Sequence, residues 1–228
     1  MSKKRNCCSF LLIMSFMVLI QSFTQAQEKA LSNKLDTVSY IIGHMMAESI
    51  VNQGFKKING RVLTLAVEEA LAGKTSQFDR NAGTRILTQF LEEMKKEEQQ
   101  DIIQAGKDFL IQNALRPGVV TLESGLQYEV LQEGEGRQPG PDDRVTTHYT
   151  GSLIDGTVFD SSVDRGNPIT FKVSGVIKGW QEAIPLMKVG SKWMLYVPYE
   201  LGYGSRGAGN SIPPYATLIF EIDLIRIE

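Results

Sequence analysis

The sequence predicts an α+β protein: an all-α N-terminal domain and a long connecting helix, then a C-terminal antiparallel β-sheet wrapped on one short helix. Three observations carry this. Apolar residues recur at helical spacing up to about Asn113, Arg116-Pro117-Gly118 interrupts the chain, and beyond it apolar and polar residues alternate. With 228 residues and 42% hydrophobic content, the chain can bury two modest cores. The expected organisation is residues 1–26 as a leader, 27–78 as a helical dimerisation domain, 79–117 as the long helix and 118–228 as the sheet domain.

Met1-Ser-Lys-Lys-Arg5 is cationic, Ser9 to Ile20 is apolar, and Thr24-Gln25-Ala26 supplies small residues before a polar stretch. This is the pattern of a secretory signal peptide cleaved after Ala26. The apolar run is about a dozen residues, short of the roughly 20 that cross a bilayer, which disfavours the alternative of an uncleaved anchor. The mature protein is therefore expected to be exported, to the periplasm or the outer cell envelope, with no transmembrane span after cleavage. Both cysteines, Cys7 and Cys8, precede the apolar run, so the mature chain has neither disulfides nor a thiol nucleophile.

Val38, Ile41, Ile42, Met45, Met46 and Ile50 mark a first helix, ended by Gln53 to Gly60; Val62, Leu63, Ala66, Val67, Ala70 and Leu71 mark a second, ended by Gly73. A third runs from about Asp79 to Asn113. If continuous, its 35 or so residues span roughly 50 Å. The densely charged stretch from Leu91 to Asp101 reads as a solvated connector. The first two helices are too apolar for their size and need a partner. A second copy of the chain, docked through residues 31–75, is the simplest one; the alternative is that they fold back on the long helix.

Beyond Gly118 the period changes. Leu126 to Leu131 and Val145 to Tyr149 alternate, and Ile169 to Val173, Lys192 to Val197 and Thr217 to Ile227 are further strands. In the last, Leu218, Phe220, Ile222 and Leu224 face inward against Glu221 and Asp223. Asp155-Gly156, between two short apolar runs, predicts a two-residue type I′ hairpin. Gly179 to Met187 supplies the short helix.

A net charge of -2 leaves no basic excess for nucleic acid. The two histidines, His44 and His148, fall in different domains, so they assemble no His-rich metal site, and no Gly-x-Ser-x-Gly elbow is present. The glycine-rich stretch Gly202 to Asn210 lacks the Gly-Lys-Ser/Thr ending of a phosphate loop and runs into Ile212-Pro213-Pro214. Neither a metal nor a cofactor is expected.

Tyr149-Thr150-Gly151, Asp155-Gly156, Phe159-Asp160-Ser161-Ser162, Val176-Ile177-Lys178-Gly179-Trp180, Val189-Gly190, Tyr203-Gly204 and Ile212-Pro213-Pro214 followed by Ala216 to Phe220 stand in this order over about 80 residues. Together they resemble the signature of the FKBP-type peptidyl-prolyl cis/trans isomerases. With the helical region, the long helix and the phrase Gly118 to Tyr128, the layout is similar to the two-domain, Mip-like (macrophage infectivity potentiator) FKBPs of bacterial envelopes. The resemblance implies an isomerase of X–Pro bonds in folding envelope or secreted proteins, with chaperone activity beside it. Trp180 would be the pocket floor and Tyr149, Phe159, Val176, Ile177 and Phe220 its walls. Asp160, Tyr203 and the Ile177 N–H would be polar contacts, Ile212 would lie at the rim, and Ile169 stands where many members carry an aromatic wall. Proline-containing polypeptides are the implied clients, and the macrolides rapamycin and tacrolimus the implied inhibitors.

Such a residue set suits the reaction. X–Pro rotation has a barrier of about 18–20 kcal/mol from lost amide resonance and needs no covalent step or proton transfer. Shortening tens of seconds to milliseconds takes about 5–6 kcal/mol. A dry aromatic cradle disfavours the dipolar planar amide relative to the twisted one, and placed donors fix the carbonyl. The rival reading is a binding module that grips proline-containing chains without turning them over.

Overall fold

The computed structural model describes residues 31–228; the expected signal peptide, residues 1–26, lies outside them. The described residues fall into two compact units, the first reaching Leu91 and the second Glu92–Glu228.

In the first unit, α1 (Lys34–Asn52) and α2 (Gly60–Leu71) precede the start of α3 (Arg80–Asn113). Each start has a side-chain cap: the Asn33 Oδ1 accepts the Asp36 N–H at 3.0 Å, Asn59 accepts those of Arg61 and Val62, and Asp79 accepts that of Ala82 at 2.8 Å. Gly54 and Gly73, both at positive φ, follow the ends of α1 and α2. Phe55 stacks on Phe90 at 6.2 Å, so part of this unit does fold back on α3. That contact leaves most of the apolar surface uncovered. No residue of α1 or α2 is buried, and Leu35, Met45 and Val51 are 73%, 63% and 66% exposed.

The second unit holds the rest of α3 and a seven-stranded antiparallel sheet. Its strands are β1 (Val119–Thr121), β2 (Gln127–Gln132), β3 (Arg144–Leu153), β4 (Val158–Ser161), β5 (Ile169–Lys172), β6 (Lys192–Val197) and β7 (Leu218–Ile227). The order is β1-β2-β6-β7-β3-β4, with β5 paired to the other part of β3. The single α-helix between β5 and β6, α4 (Lys178–Ala183), continues into a 3-10 turn at Ile184–Leu186. Trp180, Ala183, Ile184 and Met187 bury against Leu195, Val197, Leu218 and Ile222. The alternation of β7 is as expected, with Leu218, Phe220, Ile222 and Leu224 all buried.

One local expectation needs correction. The hairpin after β3 is not type I′: Gly156 N–H donates to Leu153 O at 3.0 Å, and only Gly156 has positive φ, at 88°, while Asp155 does not. This is a three-residue turn ending in a left-handed glycine; Asp155 instead accepts the Thr157 N–H at 2.9 Å. Beyond the charged stretch that ends at Asp101, α3 joins the packing of the second unit. Ile102, Ile103, Gly106, Phe109, Leu110 and Asn113 form a stripe that packs within the second unit. Gly106 is required there, because a Cβ would sit 2.4 Å from Thr217 Oγ1 and 3.2 Å from Thr217 Cβ. Buried Asn113 donates to Gln127 Oε1 at 2.8 Å, and Gln127 donates back to Leu110 O at 2.9 Å. Arg116 closes the junction through Tyr196 Oη (2.7 Å) and Glu129 (2.8 Å).

Candidate active site

The sheet curls around α4, and Trp180, in the first turns of that helix, presents its indole to the concave face at 5% exposure. Tyr149 from β3 meets it edge-on at 5.2 Å and 80°, Phe220 from β7 at 5.1 Å and 79°, and Phe171 from β5 at 5.4 Å and 45°. Phe159 from β4 then packs edge to face on Phe220 at 5.6 Å. Such offset geometries are the favourable ones for aromatic quadrupoles. Between Phe159 and Phe220 lies Gly151; a Cβ there would be 2.6 Å from Phe159 Cε2 and 2.8 Å from Phe220 Cε1. The missing side chain is what lets the two rings meet.

These rings enclose a cavity of about 430 Å³, lined by Tyr149, Phe159, Asp160, Ile169, Gly175, Val176, Ile177, Trp180, Tyr203 and Phe220. Nine of the ten residues expected at the site therefore come together, although they are spread over residues 149 to 220. Ile212 does not join them. It is 7% exposed within the core, because its backbone exchanges two hydrogen bonds with Ala208 and turns the loop back on itself.

Charge enters at one edge. The Tyr149 hydroxyl donates to one Asp160 oxygen and Arg165 Nη1 donates to the other. Arg165 Nη2 also reaches the Tyr149 oxygen at 3.2 Å, with its guanidinium 5.8 Å from the Tyr149 ring centre. Burial pushes the Asp160 carboxyl up, but the bonds from Tyr149 and Arg165 outweigh it and hold the group below the ordinary carboxylate range. Burial raises the Tyr149 hydroxyl, and the bond to Asp160 raises it further. Tyr203 is raised by burial and by the Asp160 charge. At neutral pH the pocket thus holds a fixed carboxylate, a fixed guanidinium and two protonated phenols. With both its oxygens engaged, Asp160 is a source of field beside the cavity, not a base waiting for a proton.

Ile177 caps α4 in extended conformation and its carbonyl accepts the Trp180 and Gln181 N–H groups. Arg165 and Phe171 were not expected at the site. Arg165 lies in the turn that follows β4, where Gly166 N–H bonds Val163 O, and its spacing from Asp160 carries no periodic signal. A hint lay in chemistry: a carboxylate placed against apolar walls needs a cation. Phe171 was readable from alternation, two residues beyond Ile169 on the same face of β5.

Residues 135–225 match the family model described as FKBP-type peptidyl-prolyl cis-trans isomerase, and residues 35–130 match that of the domain amino terminal to it. The chain is 45% identical over 192 residues to the FKBP-type 22 kDa peptidyl-prolyl cis-trans isomerase of Escherichia coli, covering 83% of this chain and 93% of that one. It is 40% identical over 208 residues to the outer membrane protein MIP of Legionella longbeachae, covering 87% and 88%. Among solved structures, FkpA from Escherichia coli is similar with a TM-score of 0.68 and 31% identity, over 86% of this chain and 97% of that one.

Proposed function

The chain belongs to the FKBP-type peptidyl-prolyl cis-trans isomerases, and from that premise we propose that it turns X–Pro bonds in the cavity around Trp180. One observation carries this: aromatic rings around an apolar cavity of peptide size, with a single carboxylate at its edge already committed to Tyr149 and Arg165. Trp180, Phe159 and Phe220 form the floor and walls that exclude water, with Val176 and Ile169 contacting the chain that enters. The Ile177 N–H and the Tyr203 hydroxyl hold the substrate carbonyl. Asp160, Tyr149 and Arg165 set the field in which the amide twists. Because the planar amide is the more dipolar state, removing it from water narrows the gap to the twisted state, and fixed donors add to the effect without moving a proton.

Clients in this reading are proline-containing polypeptides outside the cytoplasm. Support comes from the leader-like residues 1–26 and from the similarity to a relative named as an outer membrane protein. No helix among the described residues is long and apolar enough to cross a membrane. The proposed organisation is a dimerisation domain at residues 27–78, the long helix at 79–117 and the isomerase domain at 118–228. Two copies would pair through residues 31–75, where exposed Leu35, Ile41, Ile42, Met45 and Val51 leave α1 unsatisfied in a single chain. The same surface suits a chaperone activity on unfolded chains. Rapamycin and tacrolimus would compete for the cavity.

A protease-coupled assay on a Leu-Pro peptide tests the site, comparing the mature chain with a Tyr203→Phe, Asp160→Val double variant. Acceleration by the wild type, reduced roughly tenfold or more in the folded variant, is expected. No acceleration by the folded wild type would leave the cavity as a binding cleft.

A further inference from the structure

The loop from Gly202 to Pro214 carries Tyr203 into the pocket wall and contains Gly202, Gly204, Gly207 and Gly209, residues that lose most freedom on being ordered. It is nevertheless closed at its stem. Gly204 N–H donates to Tyr199 O at 2.9 Å, Tyr215 N–H donates to Gly204 O at 2.9 Å, and Ala208 and Ile212 bond each other at 2.9 and 3.1 Å. Both stems of the loop therefore meet at Tyr199 and Tyr215, whose rings pack edge to face at 5.3 Å and 75°.

Tyr215 is also, among the described residues, the only non-glycine at positive φ, 64°. A residue with a Cβ occupies that region at a cost and stays there only where its surroundings over-determine it. Asparagine or glycine would take this conformation more readily, and neither would bring a ring against Tyr199.

We infer that Tyr215, held by Tyr199, is a positioning residue that clamps the stem of the Tyr203 loop and so sets the discrimination between large and small residues before proline. The inference rests on the cavity around Trp180 being where X–Pro bonds turn. Tyr203 is 40% exposed, so the wall it forms is set by where its loop is held. An edge-to-face pair shifts a closing equilibrium by roughly 2- to 12-fold, and a loop that opens more often presents a wider, less selective mouth.

The test uses the full mature chain and its Tyr215→Asn, Tyr215→Phe, Tyr199→Leu and Tyr199→Leu/Tyr215→Asn variants. kcat/KM is measured on matched Ala-Pro and Leu-Pro peptides, with amide exchange followed at Gly204, Ala208 and Ile212. Tyr215→Asn and Tyr199→Leu are each expected to change the Leu-Pro to Ala-Pro ratio by roughly 3- to 10-fold and to speed exchange at those amides by a similar factor. Tyr215→Phe keeps both values, and the double variant is no worse than either single one. An unchanged ratio with unchanged exchange in Tyr215→Asn, a loss in Tyr215→Phe, or additive losses in the double variant overturns the inference. Wild-type turnover of the two peptides reports separately on the pocket itself, and amide exchange reads the clamp whatever the turnover.

Discussion

Replacing Gly151 by alanine adds one methyl group at the point where the pocket is tightest. The new Cβ would lie 2.6 Å from two atoms of the Phe159 ring and 2.8 Å from Phe220 Cε1. Carbon atoms rest at about 3.5–4.0 Å, so the Phe159 ring must retreat by about 1 Å. Phe220 offers little room, being 3% exposed and already against Trp180. Overpacking of this kind costs about 1–3 kcal/mol, which for a unit of this size lowers its melting temperature by roughly 3–10 °C. A displacement near 1 Å in a wall that orients substrate costs about 100-fold in rate. A calorimetric melt together with the Leu-Pro assay measures both on one sample. A Gly151→Ala protein that melts with the wild type and keeps its full kcat/KM would refute the claim that Phe159 and Phe220 form the working wall.

Activity is expected to be flat from about pH 5 to about pH 9, because the Asp160 carboxyl is held low and the Tyr149 and Tyr203 hydroxyls are held high. The stability Asp160 contributes is present above its unfolded value and lost as pH falls through the depressed folded one, so a pH titration of the melt should show the pocket surviving below the ordinary carboxylate range. Arg165→Leu removes one of the two partners of Asp160, and an NMR titration of that carboxyl should find its midpoint moved upward, with kcat reduced more than KM is raised. Asn113→Leu strands the Gln127 side chain and should cost about 1–3 kcal/mol in a denaturant melt of the second unit. Sedimentation of the mature chain should report a dimer, and Ile41→Glu with Met45→Glu should give a monomer that keeps isomerase activity on short peptides.

Periodicity made much of this legible from residues alone. Among the described residues, α1, α2 and α3 end within a few positions of the glycines and caps that mark them, and β7 buries the four apolar residues its alternation singles out. What escaped is what depends on contacts distant in sequence. Arg165 reaches Asp160 only because the turn after β4 folds back, and Ile212 turns inward only because Ala208 bonds it. The docking of the end of α3 escaped because the two residues buried there, Gly106 and Asn113, carry no hydropathy signal, although Ile102, Ile103, Phe109 and Leu110 stand at helical spacing beside them. At Asp155-Gly156 the dipeptide marked the turn correctly but not its length, since Asp155 used its carboxylate to accept from Thr157 instead of adopting a positive φ.

In the proposed reading this pocket rotates X–Pro bonds by field and desolvation, with no proton moved. Exchange spectroscopy on a Leu-Pro peptide with the mature protein, in light and in heavy water, tests it most directly. With no proton in flight, cis/trans exchange, tens of seconds or slower in the free peptide, should accelerate by orders of magnitude and equally in both solvents. Exchange no faster than in the free peptide, or a rate about two-fold or more lower in heavy water, would contradict it.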